Sequence, residues 1–115
     1  MAYLKDFYGR ILLQIGNGCI KEFSGVIDYK YYDDYVTDFY GRILYKFQGD
    51  RICDFYGRTL MVFDGRSLKQ FTGVIDYQFD GKYIREFSGV IKYQIDSTLN
   101  RNEIMALFAI LFCKN

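Results

Sequence analysis

Hydrophobic and polar residues alternate along this chain in short runs, as in Ile43-Leu44-Tyr45-Lys46-Phe47, and each run is soon cut off by a turn-forming residue. Glycine stands at 9, 25, 41, 49, 57, 65, 73, 81 and 89, all on one lattice of eight residues. The two lattice points without glycine hold Asn17, between Gly16 and Gly18, and Asp33 beside Asp34. Both are residue types that tolerate a positive φ. An alternating run of about six residues suits a half-buried strand. Asp64-Gly65 and Asp80-Gly81 suit the two central residues of a tight hairpin turn. Each octad therefore predicts one strand and one two-residue turn, and eleven such turns delimit twelve strands between residues 2 and 96. A parallel crossover needs about a dozen residues or more, so connections this short leave only an antiparallel up-and-down meander.

Pairing across two-residue turns puts Ile27, Tyr29 and Tyr31 on the same face as Ile20, which predicts the core face, while Lys21, Asp28 and Lys30 fall on the other. Phe7, Phe23, Phe39, Phe55, Phe71 and Phe87 recur at sixteen-residue spacing on the polar side and predict a band at one rim. A β-bulge would turn them inward instead. From Ser97 the strand pattern stops. Asn100-Arg101-Asn102-Glu103 has the form of a helix cap with Glu at the third helical position, and Ile104 to Cys113 is unbroken apolar sequence. This predicts a helix over about 99–113, too short to span a bilayer. It also lacks the polar face that a membrane-surface helix needs. Being apolar all round, it must be enclosed by protein. Twelve strands at about 4.8 Å spacing close into a ring of roughly 9 Å radius, near the packing distance of one helix. The expected fold is thus all-β with one C-terminal helix: twelve short antiparallel strands closed around or packed on that helix, in a single repeat-built domain of residues 1–115.

The repeat has longer periods too. Asp6-Phe7-Tyr8-Gly9-Arg10 returns 48 residues later as Asp54-Phe55-Tyr56-Gly57-Arg58, and Gly25-Val26-Ile27-Asp28-Tyr29 returns as Gly73-Val74-Ile75-Asp76-Tyr77. Half of that period, 24 residues, spans three strands and would make a three-stranded quarter of the whole. These reiterated Asp-Phe-Tyr-Gly-Arg-Ile-Leu and Phe-Ser-Gly-Val-Ile-Asp-Tyr units, closed by an apolar helix, resemble the bacterial 4-fold beta flower proteins over essentially the whole chain. The resemblance implies a fourfold-pseudosymmetric β arrangement in a bacterial protein and brings no activity, catalytic residue or cofactor with it.

Composition narrows the function classes. Fifteen basic and fourteen acidic residues are interspersed along the chain, which gives no footprint for nucleic acid or an anionic membrane. Cys19, Cys53 and Cys113 are odd in number and widely spaced, and are expected as free, buried thiols in a reducing compartment, hence a cytoplasmic protein. The repeat begins at the N-terminus, leaving no room for a signal peptide ahead of it. With no His, nucleophile–His pairs are excluded, and the glycines lie at hairpin turns rather than in a phosphate loop. The acids Asp6, Glu22, Asp38, Asp54 and Glu86 recur around the chain, which marks them as structural. No catalytic, cofactor-binding or metal residue is expected. Where Tyr precedes the lattice glycine Arg follows it (Tyr8/Arg10, Tyr40/Arg42, Tyr56/Arg58), which predicts ring–guanidinium stacking at the turn. Where Ser or Thr precedes, Val follows, as in Ser24/Val26, Thr72/Val74 and Ser88/Val90. The expected function is a non-catalytic structural or protein-interaction module acting on a protein partner or on itself. The alternative is a small-ligand or glycan binder using the aromatic positions.

Overall fold

The computed structural model describes residues 2–22 and 24–113. Twelve strands follow one another: β1 (Ala2–Asp6), β2 (Ile11–Gly16), β3 (Cys19–Glu22), β4 (Ile27–Tyr31), β5 (Tyr35–Asp38), β6 (Ile43–Gln48), β7 (Arg51–Asp54), β8 (Thr59–Phe63), β9 (Ser67–Gln70), β10 (Ile75–Phe79), β11 (Tyr83–Glu86) and β12 (Ile91–Ile95). Each pairs antiparallel with its neighbours in sequence, and β1 pairs with β12 through Leu4↔Ile95, so the meander closes into a barrel with no free edge. The body is nearly circular and wider than it is tall, 36 × 35 × 24 Å.

The turns come in two kinds, which the even glycine lattice does not distinguish. Those following even-numbered strands are two-residue turns, such as Asn17-Gly18 at φ +54° and +77° between the paired Gly16 and Cys19. At Asp33-Asp34 the tight turn forms without any positive φ, contrary to the role expected of Asp33. The turns following odd-numbered strands are wider than expected. Asp6 N–H donates to the Arg10 carbonyl at 3.0 Å, leaving the three residues Phe7-Tyr8-Gly9 as the loop, with Gly9 in the left-handed region at φ +86°. A three-residue loop ending in left-handed glycine forces a bulge. Accordingly the register shifts once in each of the six hairpins of this kind, for example between Leu4 and Lys5. Because a shift of 24 residues lays a three-residue turn on a two-residue one, the turns mark six sixteen-residue hairpins rather than four three-stranded quarters.

Inside the barrel the side chains form rings with the same sixteen-residue step. Leu4, Ile20, Val36, Ile52, Leu68 and Ile84 make a fully buried middle ring. Ile15, Tyr31, Phe47, Phe63, Phe79 and Ile95 lie toward the two-residue turns, and Leu13, Tyr29, Tyr45, Met61, Tyr77 and Tyr93 toward the three-residue turns. Helix α1 (Arg101–Phe112) runs through the middle. Its residues Met105 to Ile110 are all buried, and six consecutive helical residues point in every direction, so the barrel wall surrounds the helix. The cap read from sequence is present in full: the Glu103 N–H donates to the Asn100 side chain at 2.9 Å, and the Asn100 N–H donates to the Glu103 carboxylate at 2.9 Å.

Candidate interaction surface

The two ends of the barrel differ in chemistry because they are built from the two kinds of turn. At the two-residue-turn end several polar side chains are tied to the helix N-terminus or to their own turns. Tyr31 Oη donates to the Glu103 carboxylate at 2.7 Å, Arg101 reaches Asp50, and Asn102 donates to Asp33 at 2.9 Å, so the helix N-terminus is fastened to two successive hairpins, β4–β5 and β6–β7. Burial and the bond to Glu103 push the Tyr31 hydroxyl up to about 12. Asp64 accepts from the Ser67 and Arg66 N–H groups and pairs with Lys69, which holds its carboxyl down at about 2. The Tyr83 N–H lowers the Asp80 carboxyl below the usual carboxylate range, against the opposing effect of partial burial.

The three-residue-turn end is different. Here Phe7, Phe39, Phe55, Phe71 and Phe87 are between 49% and 71% exposed, and the tyrosines at the turn tips, Tyr8, Tyr40 and Tyr56, between 83% and 90%. The aromatic band expected at one rim is therefore found for five of its six positions; Phe23 lies outside the described residues. The phenylalanines stay at the rim because each is the first residue of its loop and has left the ladder before the bulge acts. Phe39 and Phe55 lean against the outer wall, under the Lys30 and Lys46 ammonium groups at 5.4 and 4.9 Å from the ring centres.

The acids with sixteen-residue spacing shape these turns. Asp6 Oδ1 accepts from the Tyr8 and Arg10 N–H groups, and Asp38 and Asp54 repeat the pattern at 2.9 Å throughout. The Arg guanidinium does not stack on the tyrosine as expected. It turns back to the same carboxylate, with Nε of Arg10, Arg42 and Arg58 at 3.2, 3.8 and 2.7 Å from Asp6, Asp38 and Asp54. The tyrosine is left to meet its preceding phenylalanine edge to face, at 5.4 to 5.5 Å. The signal in the chain is an acid three residues before the glycine, at 6, 22, 38, 54 and 86 in five three-residue turns and before no glycine of a two-residue turn; Gln70 takes that place in the sixth, and Gln78 stands likewise before the two-residue turn at Gly81.

Within the rim, the tyrosine-rich ring surrounds the C-terminal end of α1. Phe112 stacks on Tyr77 at 4.0 Å, and Cys113, half-covered by this ring, is pushed up to about 12 by burial. Cys19 and Cys53 are free thiols as well. On one side of the mouth a cleft of about 520 Å³ opens between Met61, Phe71, Tyr77, Tyr93 and Phe112, with Gln70 bonded to Asp76 and Lys92 over the Tyr77 ring. No known protein family, curated protein or solved structure matches the chain. Among the described residues no three metal-ligating side chains gather, and no helix is long and apolar enough to cross a membrane.

Proposed function

We propose that this is a non-catalytic interaction module that uses the aromatic rim to hold a protein partner. The observation that carries the reading is the ring itself. Eight exposed aromatic side chains, each fixed by a turn, are spread around one end of the barrel, where large apolar side chains on a soluble protein are ordinarily scattered singly. Tyrosine at the turn tips adds large contact area at low entropic cost. At the opposite end the exposed large aromatic among the described residues is Tyr32, stacked on Tyr35 at 4.5 Å, and a cleft of about 660 Å³ opens beside Phe79 and Ile104. Kinship with the 4-fold beta flower proteins is proposed on the reiterated sequence units alone, since the ring is built of six hairpins rather than four quarters. Free thiols and interspersed charge fit a reducing, cytoplasmic setting in a bacterium.

Photo-cross-linking in the native cell tests the reading. A photoreactive phenylalanine analogue at position 40, on the rim, is expected to give a discrete adduct that the same group at position 30, on the outer wall, does not give. Equal labelling from both positions sinks the proposal. The cleft beside Tyr77 favours the second reading, a small aromatic or glycan ligand. Ligand-dependent shifts confined to the Tyr77 and Tyr93 resonances are the measurement that would promote it.

A further inference from the structure

The order of the two rim chemistries around the ring points to a particular partner. Taken in turn, the three-residue turns read Tyr8/Arg10, Ser24/Val26, Tyr40/Arg42, Tyr56/Arg58, Thr72/Val74 and Ser88/Val90. Three turns therefore end in a long, exposed Tyr and Arg, and three in a small residue with an exposed Val. A second copy placed face to face across a twofold axis presents the same sequence of turns in reverse order. Six such placements bring turn over turn. Only one sets every Tyr/Arg turn over a Ser-Val or Thr-Val turn: the turn at Gly9 over the partner's turn at Gly25, that at Gly41 over the partner's at Gly89, and that at Gly57 over the partner's at Gly73. Long then meets short at all six contacts, and the two rims close level.

The charges agree with the same placement. In the Tyr/Arg turns the Asp engages only Nε, so the two terminal amino groups of each guanidinium remain free to donate. In the other turns the corresponding positions are Glu22, Gln70 and Glu86. Glu22 and Glu86 are exposed, with no cation at ion-pair distance among the described residues. The placement sets Arg10 over the partner's Glu22, Arg42 over the partner's Glu86 and Arg58 over the partner's Gln70, two ion pairs and one hydrogen bond, each made twice by symmetry. At about 150–250 Å² per aromatic side chain, the exposed parts of the eight rim aromatics present roughly 1,100 Å². A standard stable interface takes about 800 Å² from each partner.

We infer that the rim's partner is a second copy of this chain, docked face to face with Tyr/Arg turns on Val turns. This deepens the interaction reading and rests on it. Sedimentation of the purified full chain tests it, the expected species being a dimer of the 13.6 kDa chain. Tyr8→Ser with Tyr40→Ser and Tyr56→Ser should give a folded monomer whose melting, unlike the native chain's, no longer depends on protein concentration, since these side chains are almost fully exposed. Arg10→Glu and Glu22→Arg should each weaken the dimer about tenfold or more, and the two together should restore it to within about threefold, because symmetry repairs both contacts at once. Arg42→Glu with Glu86→Arg provides the same cycle at a second turn, should Arg10→Glu disturb its own loop beside Asp6. A monomer at every concentration overturns the inference, as does a dimer indifferent to the tyrosines or a charge swap that rescues nothing at either turn. A monomeric chain whose position 40 still cross-links to a different protein in cells leaves the rim reading standing and removes only the second copy. No rim-specific adduct of any kind removes the reading itself.

Discussion

Truncating Phe108 to alanine is the sharpest test of a helix enclosed by the barrel. The side chain is fully buried and meets Phe63 at 5.0 Å, Phe79 at 5.6 Å and Phe112 at 5.8 Å, all by ring centroid. Withdrawing a phenylalanine from an apolar interior costs about 1.5–3 kcal/mol in transfer free energy. Each lost ring pair adds a further contribution of about 0.5–1.5 kcal/mol. The wall cannot collapse onto the gap, because every strand is hydrogen-bonded on both sides. A hole of about 100 Å³ would then cost about 2.4 kcal/mol beyond transfer. These contributions overlap, and about 3–5 kcal/mol is the expected total. A domain of this size has only about 6–17 kcal/mol in all. Urea unfolding followed by tyrosine fluorescence measures the loss by linear extrapolation. Two further variants fix the scale. Phe112→Ala, half-buried at the mouth, should lose about 1–2 kcal/mol, and Phe39→Ala, on the rim, about 0.5 kcal/mol or less. If Phe108→Ala loses under about 1 kcal/mol, or no more than Phe39→Ala, the helix is not the filling of the barrel and the enclosed arrangement falls.

Two further outcomes concern ionisation. Asp64 has its folded carboxyl held down at about 2 against an ordinary 3.8, so its contribution to stability is complete above about pH 4 and is lost as pH falls toward 2. The stability difference between the native chain and Asp64→Ala should shrink over that window, and an NMR titration midpoint near 3.8 for this carboxyl would refute the assignment. Cys113 has the opposite sign: its thiol, ordinarily near 9.0, is pushed up to about 12 by burial, so its contribution persists at neutral pH and is lost as pH rises from about 9 toward 12. At pH 8 a disulfide reagent should modify Cys113 far more slowly in the folded chain than in urea. Equal rates, read by peptide mass, would show an open thiol.

The eight-residue lattice made the strands, their antiparallel order and the closing helix legible, because each depends on local spacing: alternation for strands, glycine for turns, unbroken apolar sequence for α1. The capping box could be read for the same reason, since Asn100 and Glu103 are neighbours on one helical turn. The two kinds of turn were not legible from glycine spacing, because a three-residue loop with a bulge and a two-residue loop without one consume the same eight residues. An acid three residues before the glycine marks five of the six wider loops and none of the tight turns, whereas Gln stands there both at Gly73 of a wide loop and at Gly81 of a tight one. Asp6 accepting from the Tyr8 and Arg10 N–H groups stabilises the wider loop, and the same carboxylate draws Arg10 away from the stack on Tyr8 that simple proximity suggested. The rim surface follows from that choice, since Phe7 leaves the ladder only if the loop begins with it. Closure of β1 on β12 is a long-range event, and only the girth estimate spoke for it.

Nothing in a sixteen-residue hairpin says how many hairpins a ring should contain, since each one contacts only its two neighbours. The enclosed helix supplies the missing measure. One more hairpin would lengthen the girth by about 10 Å and widen the radius by about 1.5 Å, opening a gap all round α1 that no side chain reaches. One fewer would press the wall into Ala106 and Ala109, which are already fully buried. The C-terminal segment therefore acts as a gauge for the copy number of the repeat. Duplication or loss of a hairpin can persist only if the helix changes calibre with it, through larger or smaller residues at the positions facing the middle ring.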